Sequence, residues 1–214
     1  MSLIMYFTRA PRYENITMKD IKLIDSYFRW QHEKEIGSRY GNGTFENWCG
    51  HSENELPSME VISYYKPFFT KKSMYIEGIG KQEGNSIFEQ LARFAKANHI
   101  YNWFIKNVAN GKVDREYYEV TKEQCEDFLR TCNEVKNKFV FVGKNKYTNS
   151  DEYSVNEEIA KELLPVMDNI GYFFGPNTYN EFYVECIIKA IEVVENILKT
   201  TDFEKQSIYF NAIW

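Results

Sequence analysis

Two stretches of this sequence, residues 86–109 and 179–200, repeat apolar side chains at intervals of three and four, and together they set the kind of core the chain can build. In the first, Leu91, Phe94, Tyr101, Phe104, Ile105 and Val108 form one helical stripe, with Ile100 and Trp103 adding apolar surface beside it. Ser86 stands where an N-cap would, Glu89 holds the capping-box position, and Asn110-Gly111 supplies a stop. In the second, Phe182, Cys186, Ile187, Ala190, Val193, Val194 and Ile197 line one side. The spacing predicts two long helices, the first of them central to its domain.

The remaining elements are shorter. Residues 3–8 read as a strand closed by Pro11, and Thr17 with Asp20 starts a helix that Gly37 ends. Residues 37–58 are broken by glycines, with one helical turn at Thr44–Trp48; a further helix starts at Pro57–Glu60 and stops at Pro67. Residues 70–84 read as a loop with a short strand at Met74–Ile76. Glu116–Val120 suits a strand, Thr121 caps a helix, Phe139–Val142 is a strand or hairpin arm, and a polar insertion covers 143–153. A helix at 155–164 ends before Pro165, Gly171–Gly175 is an aromatic strand, and Ile208–Phe210 a last strand. Strand–helix–strand repeats of the doubly wound kind are missing. The expected fold is α+β, a mainly helical single domain over 1–214 with a few short strands, in which 37–84 forms a looser sub-lobe.

Lys plus Arg total 26 and Asp plus Glu 31, a net charge of −5, which argues against a general nucleic-acid binder. Sixteen Phe, sixteen Tyr and four Trp exclude a disordered chain. No apolar run approaches the roughly 18 residues of a membrane span, and the first residues lack the basic start and apolar stretch of a secretory signal. Cys49, Cys125, Cys132 and Cys186 are too sparse for a disulfide scaffold and form no CxxC pair. They read as free thiols of a cytoplasmic protein.

Three blocks carry a resemblance. The first runs Phe94-Ala95-Lys96-Ala97-Asn98-His99-Ile100-Tyr101-Asn102-Trp103-Phe104 and on to Gly111. The second is Leu163-Leu164-Pro165 followed by 171–183, and the third joins Asp202-Phe203-Glu204 to Ile208–Trp214. From about residue 90 onward their order and spacing resemble an uncharacterised protein family of bacteriophages and prophages of low-GC Gram-positive bacteria. The resemblance implies a phage or prophage setting and a bacterial cytoplasmic product, and no particular activity. This chain departs from the family pattern where Phe94 and Ala95 replace Trp-Arg and Tyr101 replaces His. Any chemistry resting on those polar groups is absent here.

Catalytic signatures are scarce. Cys49-Gly50-His51-Ser52-Glu53 collects a thiol, an imidazole and a carboxylate, but only His32 and His99 remain elsewhere to complete a zinc set. Gly78-Ile79-Gly80 with Gly84 lacks the Lys-Ser/Thr of a phosphate loop. No metal site and no cofactor are predicted. Asn98 and Asn102, one turn apart in an apolar helix, must be hydrogen-bonded if buried, either fastening a neighbouring segment or lining a pocket with Tyr179 and Glu181. Glu181 and Glu185 suit a helix start. Lys136, Lys138, Lys144 and Lys146 form the one basic cluster. Aromatics at 172–183 and Trp214 are of the types favoured at protein interfaces. Asn98, Asn102, Trp103, Tyr179, Glu181 and Trp214 are therefore the candidate ligand-binding or interface residues. The leading expectation is a non-enzymatic phage or prophage accessory protein that binds a host or phage protein or a second copy of itself. The alternative is a small enzyme or nucleotide-binding domain with a pocket between 86–109 and 171–183.

Overall fold

In the computed structural model, residues 2–76, 80–168 and 172–214 are described, and of Ile76 and Tyr172 only the backbone. The elements run β1 (Ile4–Pro11), α1 (Met18–Glu35), α2 (Phe45–Cys49), α3 (Met59–Tyr65), β2 (Thr70–Ile76), β3 (Gly80–Ser86), β4 (Glu89–Ala95), α4 (Asn98–Asn107), β5 (Tyr118–Val120), α5 (Lys122–Lys136), β6 (Phe139–Lys144), β7 (Asp151–Val155), α6 (Glu157–Leu163), α7 (Glu181–Thr200) and β8 (Gln206–Ile213). Helix outweighs strand, and the strands form one four-stranded sheet of order β4-β1-β8-β5 and two hairpins, β2-β3 and β6-β7. The fold is α+β. The chain divides into two compact units, one of Met1–Phe7, Leu91–Phe203 and Ile208–Trp214, the other of Thr8–Gln90 and Glu204–Ser207.

Capping residues open several helices where the sequence places them. Thr17 and Thr121 each form a capping box, with Asp20 and with Gln124; Asn180, which lay inside the helix expected over 179–200, caps α7. These caps satisfy amides that the first helical turn leaves without intrahelical acceptors.

The expected helix over 86–109 is replaced by two elements. Its first half is β4, in which Ala92 and Phe94 are buried while Arg93 between them and Ala95 after them are only partly so. Leu91 and Phe94 fit a helical period as well as their strand setting, so the pattern alone could not decide. Lys96 then takes a left-handed backbone, φ 59°, which ends the strand, and its N–H donates to the carbonyl of Leu3 at 2.8 Å. Helix α4 starts behind Ala97, which offers no capping side chain. Ser86 is not a cap: its buried hydroxyl donates to Asp25 Oδ1 at 3.1 Å.

Two further expectations are corrected. Residues 70–84 hold most of a regular antiparallel hairpin, Thr70 opposite Ser86 through Ile76 opposite Gly80. Its arms, TKKSMYI and GKQEGNS, lack apolar alternation because much of the hairpin is exposed. The aromatic segment at 171–175 is not a strand. Tyr172–Phe174 is a single 3-10 turn, tied by the Leu3 N–H to the Phe173 carbonyl at 2.8 Å, while Gly171 lies outside the described residues.

The first unit is built on aromatics. Phe104 of α4 stacks on Phe210 of β8 at 4.4 Å between ring centres, and Phe7, Phe94 and Phe128 meet this cluster edge-on or tilted. Helices α5 and α7 pack on each other through Phe128, Cys132, Val135, Ile187, Ala190, Val194 and neighbours, all buried. In the second unit one buried cluster joins Leu23, Trp30 and Phe45, flanked by Tyr27, Trp48 and Leu56, and Ile24, Ile62 and Tyr65 are buried as well.

Candidate functional site

Asn98 and Asn102 are both buried, and their amides are spent on backbone. Asn98 Nδ2 donates to the Pro176 carbonyl at 2.8 Å, and its Oδ1 accepts from the Met167 N–H at 3.1 Å. Asn102 Nδ2 donates to the Pro165 carbonyl at 2.9 Å. Tyr179 joins them, its hydroxyl accepting from the Val166 N–H at 3.2 Å, and Tyr183 donates to the Leu164 carbonyl at 2.9 Å. These five bonds tie Leu164–Met167 and Pro176 to α4, to α7 and to Tyr179 just ahead of it. Of the two roles open to the amides, fastening accounts for the side-chain hydrogen bonds they make among the described residues.

Trp103 is half-buried against Phe128 at 4.8 Å. Trp214 packs on Tyr101 and Phe174, each at 5.8 Å, and Arg115 lies over its indole at 5.5 Å while donating to its carbonyl. Most of the aromatic surface singled out at 172–183 and at Trp214 therefore serves packing, with Phe173 left exposed. Glu181 is the exposed first residue of α7. Tyr179, Asn180, Glu181 and Phe182 line a shallow cleft of about 400 Å³ with Val142, Tyr153 and Ser154 of the β6-β7 hairpin. Neither Asn98 nor Asn102 lines it.

The groups that could move protons are poorly placed. His99 is fully buried against the Tyr183 ring at 4.4 Å, its Nε2 has no hydrogen-bond partner among the described residues, and burial lowers its pKa to about 3. It is a neutral core residue at physiological pH. Burial likewise raises the thiols of Cys125 and Cys186 to about 12 and that of Cys132 further, so the three are inert as nucleophiles. Cys49 Sγ meets the carbonyls of Phe45 and His51 rather than an imidazole, and His51 turns to Glu55 at 3.2 Å. Among the described residues no group of three His, Cys, Asp or Glu could hold a metal ion.

In the second unit a cleft of about 220 Å³ contains Arg9, Lys72 and Glu89. Its charges are committed inward. Arg9 grips Glu89 at 2.8 Å, and the Lys72 ammonium donates to the carbonyls of Ile87 at 2.6 Å and Phe68 at 3.1 Å. Burial holds the Lys72 pKa below its ordinary value.

The surface that sequence reasoning passed over is the β6-β7 hairpin. Phe139 and Val155 pack against the first unit's core, and α7 lies alongside β7. Beyond them Val140, Phe141 and Val142 are 60%, 55% and 58% exposed, and Tyr147 in the turn is 83% exposed. A strand with one buried face exposes every second residue; Val140 and Phe141, adjacent in the regular part of β6 and both exposed, put apolar surface on both faces. The sequence signal was the apolar run Phe139–Val142 between lysines, read as a strand or hairpin arm without regard to its exposure. Comparison with protein-family models, with curated proteins and with solved structures finds no match to this chain.

Proposed function

We propose that this chain acts by binding another protein, as an accessory protein of a phage or prophage, and that the β6-β7 hairpin is its contact surface. The observation that carries the reading is the exposed series Val140, Phe141 and Val142, with Tyr147 beyond it. Contiguous exposed apolar surface on a folded unit marks interaction sites. The sequence resemblance supports the phage setting. The buried, proton-inert state of His99 and of three of the four cysteines favours a binding role over a catalytic one.

The test is capture from a lysate of a low-GC Gram-positive host, with and without phage induction, using the chain and its Val140→Thr/Phe141→Thr variant as baits. A prey held by the wild-type chain and lost with the variant is the expected result. No prey, or equal capture by both, overturns the reading.

A second reading rests on the cleft lined by Tyr153, Tyr179, Glu181 and Phe182. A small ligand held there would raise the unfolding temperature, and a ligand at about 100 times its Kd would add roughly 2.7 kcal/mol. A thermal-shift screen of nucleotides and metabolites tests it, and a flat screen removes it.

A further inference from the structure

We propose that the outer edge of β6 takes up an extended peptide segment of a partner protein by strand addition, and that this segment has an apolar centre and acidic ends. The inference rests on the protein-binding reading of the hairpin and specifies its partner.

The edge itself is the first observation. β6 pairs with β7 alone, and among the described residues no further backbone hydrogen bond engages Phe139–Lys144. Unpaired strand edges are templates for another chain, and folded proteins ordinarily blunt them with charge, proline or cover. Here the middle of the edge is Val140-Phe141-Val142, exposed and apolar. The pairing with β7 is regular over Phe139–Phe141 and shifts register between Phe141 and Gly143, so the regular edge carries Val140 and Phe141 and the irregularity falls at Val142.

Charge selects the partner. Exposed lysines flank the apolar centre, Lys136 and Lys138 before it and Lys144 and Lys146 after it. Lys144 faces Asp151 across the hairpin at 3.7 Å, an exposed pair that water screens. A second copy of this chain fits poorly. Antiparallel pairing of β6 with itself about Phe141 would set Lys138 opposite Lys144 twice, and like charges directly opposite are destabilising. A segment with Asp or Glu at both ends meets the same lysines with opposite charge.

The experiment uses the full chain and a labelled nine-residue peptide, Asp-Glu-Val-Thr-Val-Thr-Val-Glu-Asp, read by fluorescence anisotropy. We expect it to bind at least tenfold tighter than the same peptide with lysine ends. N-methylation of alternate central amides should weaken binding tenfold in one phase of the alternation and little in the other, because only one set faces the edge. The paired variant Lys138→Glu/Lys144→Glu should reverse the end preference, and thermal unfolding of this surface variant checks that it is folded. Absent binding, equal binding of both peptides, or indifference to N-methylation overturns strand addition by an acidic segment. If a prey captured through the hairpin persists beside any of those results, the protein-binding reading stands and only this inference falls. A concentration-dependent dimer, seen by sedimentation and abolished by Phe141→Thr, assigns the edge to a second copy and likewise overturns it.

Discussion

Gly175 stands so close to the Lys96 carbonyl that a β-carbon on it would lie 1.9 Å from that oxygen. Its φ of 104° is a second reason for glycine. The contact sets the 3-10 turn against the left-handed residue that ends β4. Gly175→Ala should destabilise the chain by about 3 kcal/mol, lowering the unfolding temperature by roughly 6–12 °C for a chain of this size. Lys96→Gly, which relieves the positive φ, should be neutral or stabilising by up to about 1 kcal/mol. Calorimetric scans of both variants check the pair.

The Asn98 side chain bridges two backbone groups, from Met167 and Pro176. Asn98→Ala leaves the Met167 N–H and the Pro176 carbonyl unpaired and should cost about 2–4 kcal/mol, because each lost bond strands a group that water reaches poorly. Asn98→Asp keeps the acceptor but replaces the donor with charge, and should be no better at pH 7. Chemical denaturation of the two variants measures this. Losses below about 0.5 kcal/mol in both would remove the fastening role.

His99 makes stability depend on pH. Its folded pKa of about 3 lies below the unfolded value of 6.5, so only the unfolded chain gains this proton as pH falls below 6.5. The contribution is whole above 6.5 and is lost progressively toward 3, at about 1.4 kcal/mol per pH unit within that window. His99→Leu should flatten the stability profile between pH 6 and 4 by close to one proton. Its stability at pH 8 should change little, since Nε2 has no hydrogen bond to lose among the described residues. An unchanged slope would contradict the buried neutral state.

Asp25 does comparable work in the second unit. Its carboxylate is buried and accepts from the Ile87 N–H at 2.6 Å, the Ser86 hydroxyl at 3.1 Å and Arg29 Nε at 2.7 Å. Asp25→Ala should cost about 3 kcal/mol and speed proteolysis at 70–88, where the β2-β3 hairpin starts and ends. Limited proteolysis with mass spectrometry locates the cut.

The hairpin apolar residues should be dispensable for folding. Val140→Thr/Phe141→Thr should move stability by no more than about 0.5 kcal/mol, whereas Phe128→Ala in the core should cost about 3–5 kcal/mol. Parallel thermal unfolding of the two variants separates a surface kept for binding from one kept for packing.

Capped helices were legible in the sequence because capping is local. Thr17 and Thr121 mark helix starts with their own side chains, whereas the cap of α7, Asn180, lay inside the helix expected over 179–200. Helix α4 starts at an uncapped alanine, and β4 before it is set by its sheet neighbours, which no local pattern encodes; the two merged into one apparent helix. Of the β2-β3 hairpin only the strand at Met74–Ile76 was legible, because polar arms carry no period. Of the candidate residues, Asn98 and Asn102 were recognisable as buried amides needing partners, while the partners, backbone groups more than sixty residues away, were not. Exposure of Val140–Val142 was the least legible feature, since an apolar run ordinarily signals burial.

The account turns on which surface meets another protein. Hydrogen exchange of the chain, alone and saturated with the captured prey, reads this residue by residue. The account predicts slowed exchange confined to the amides of residues 139–147, which include the unpaired edge of β6. Slowed exchange at 172–183 and Trp214 with the hairpin unchanged would contradict it and move the interface to the other aromatic surface.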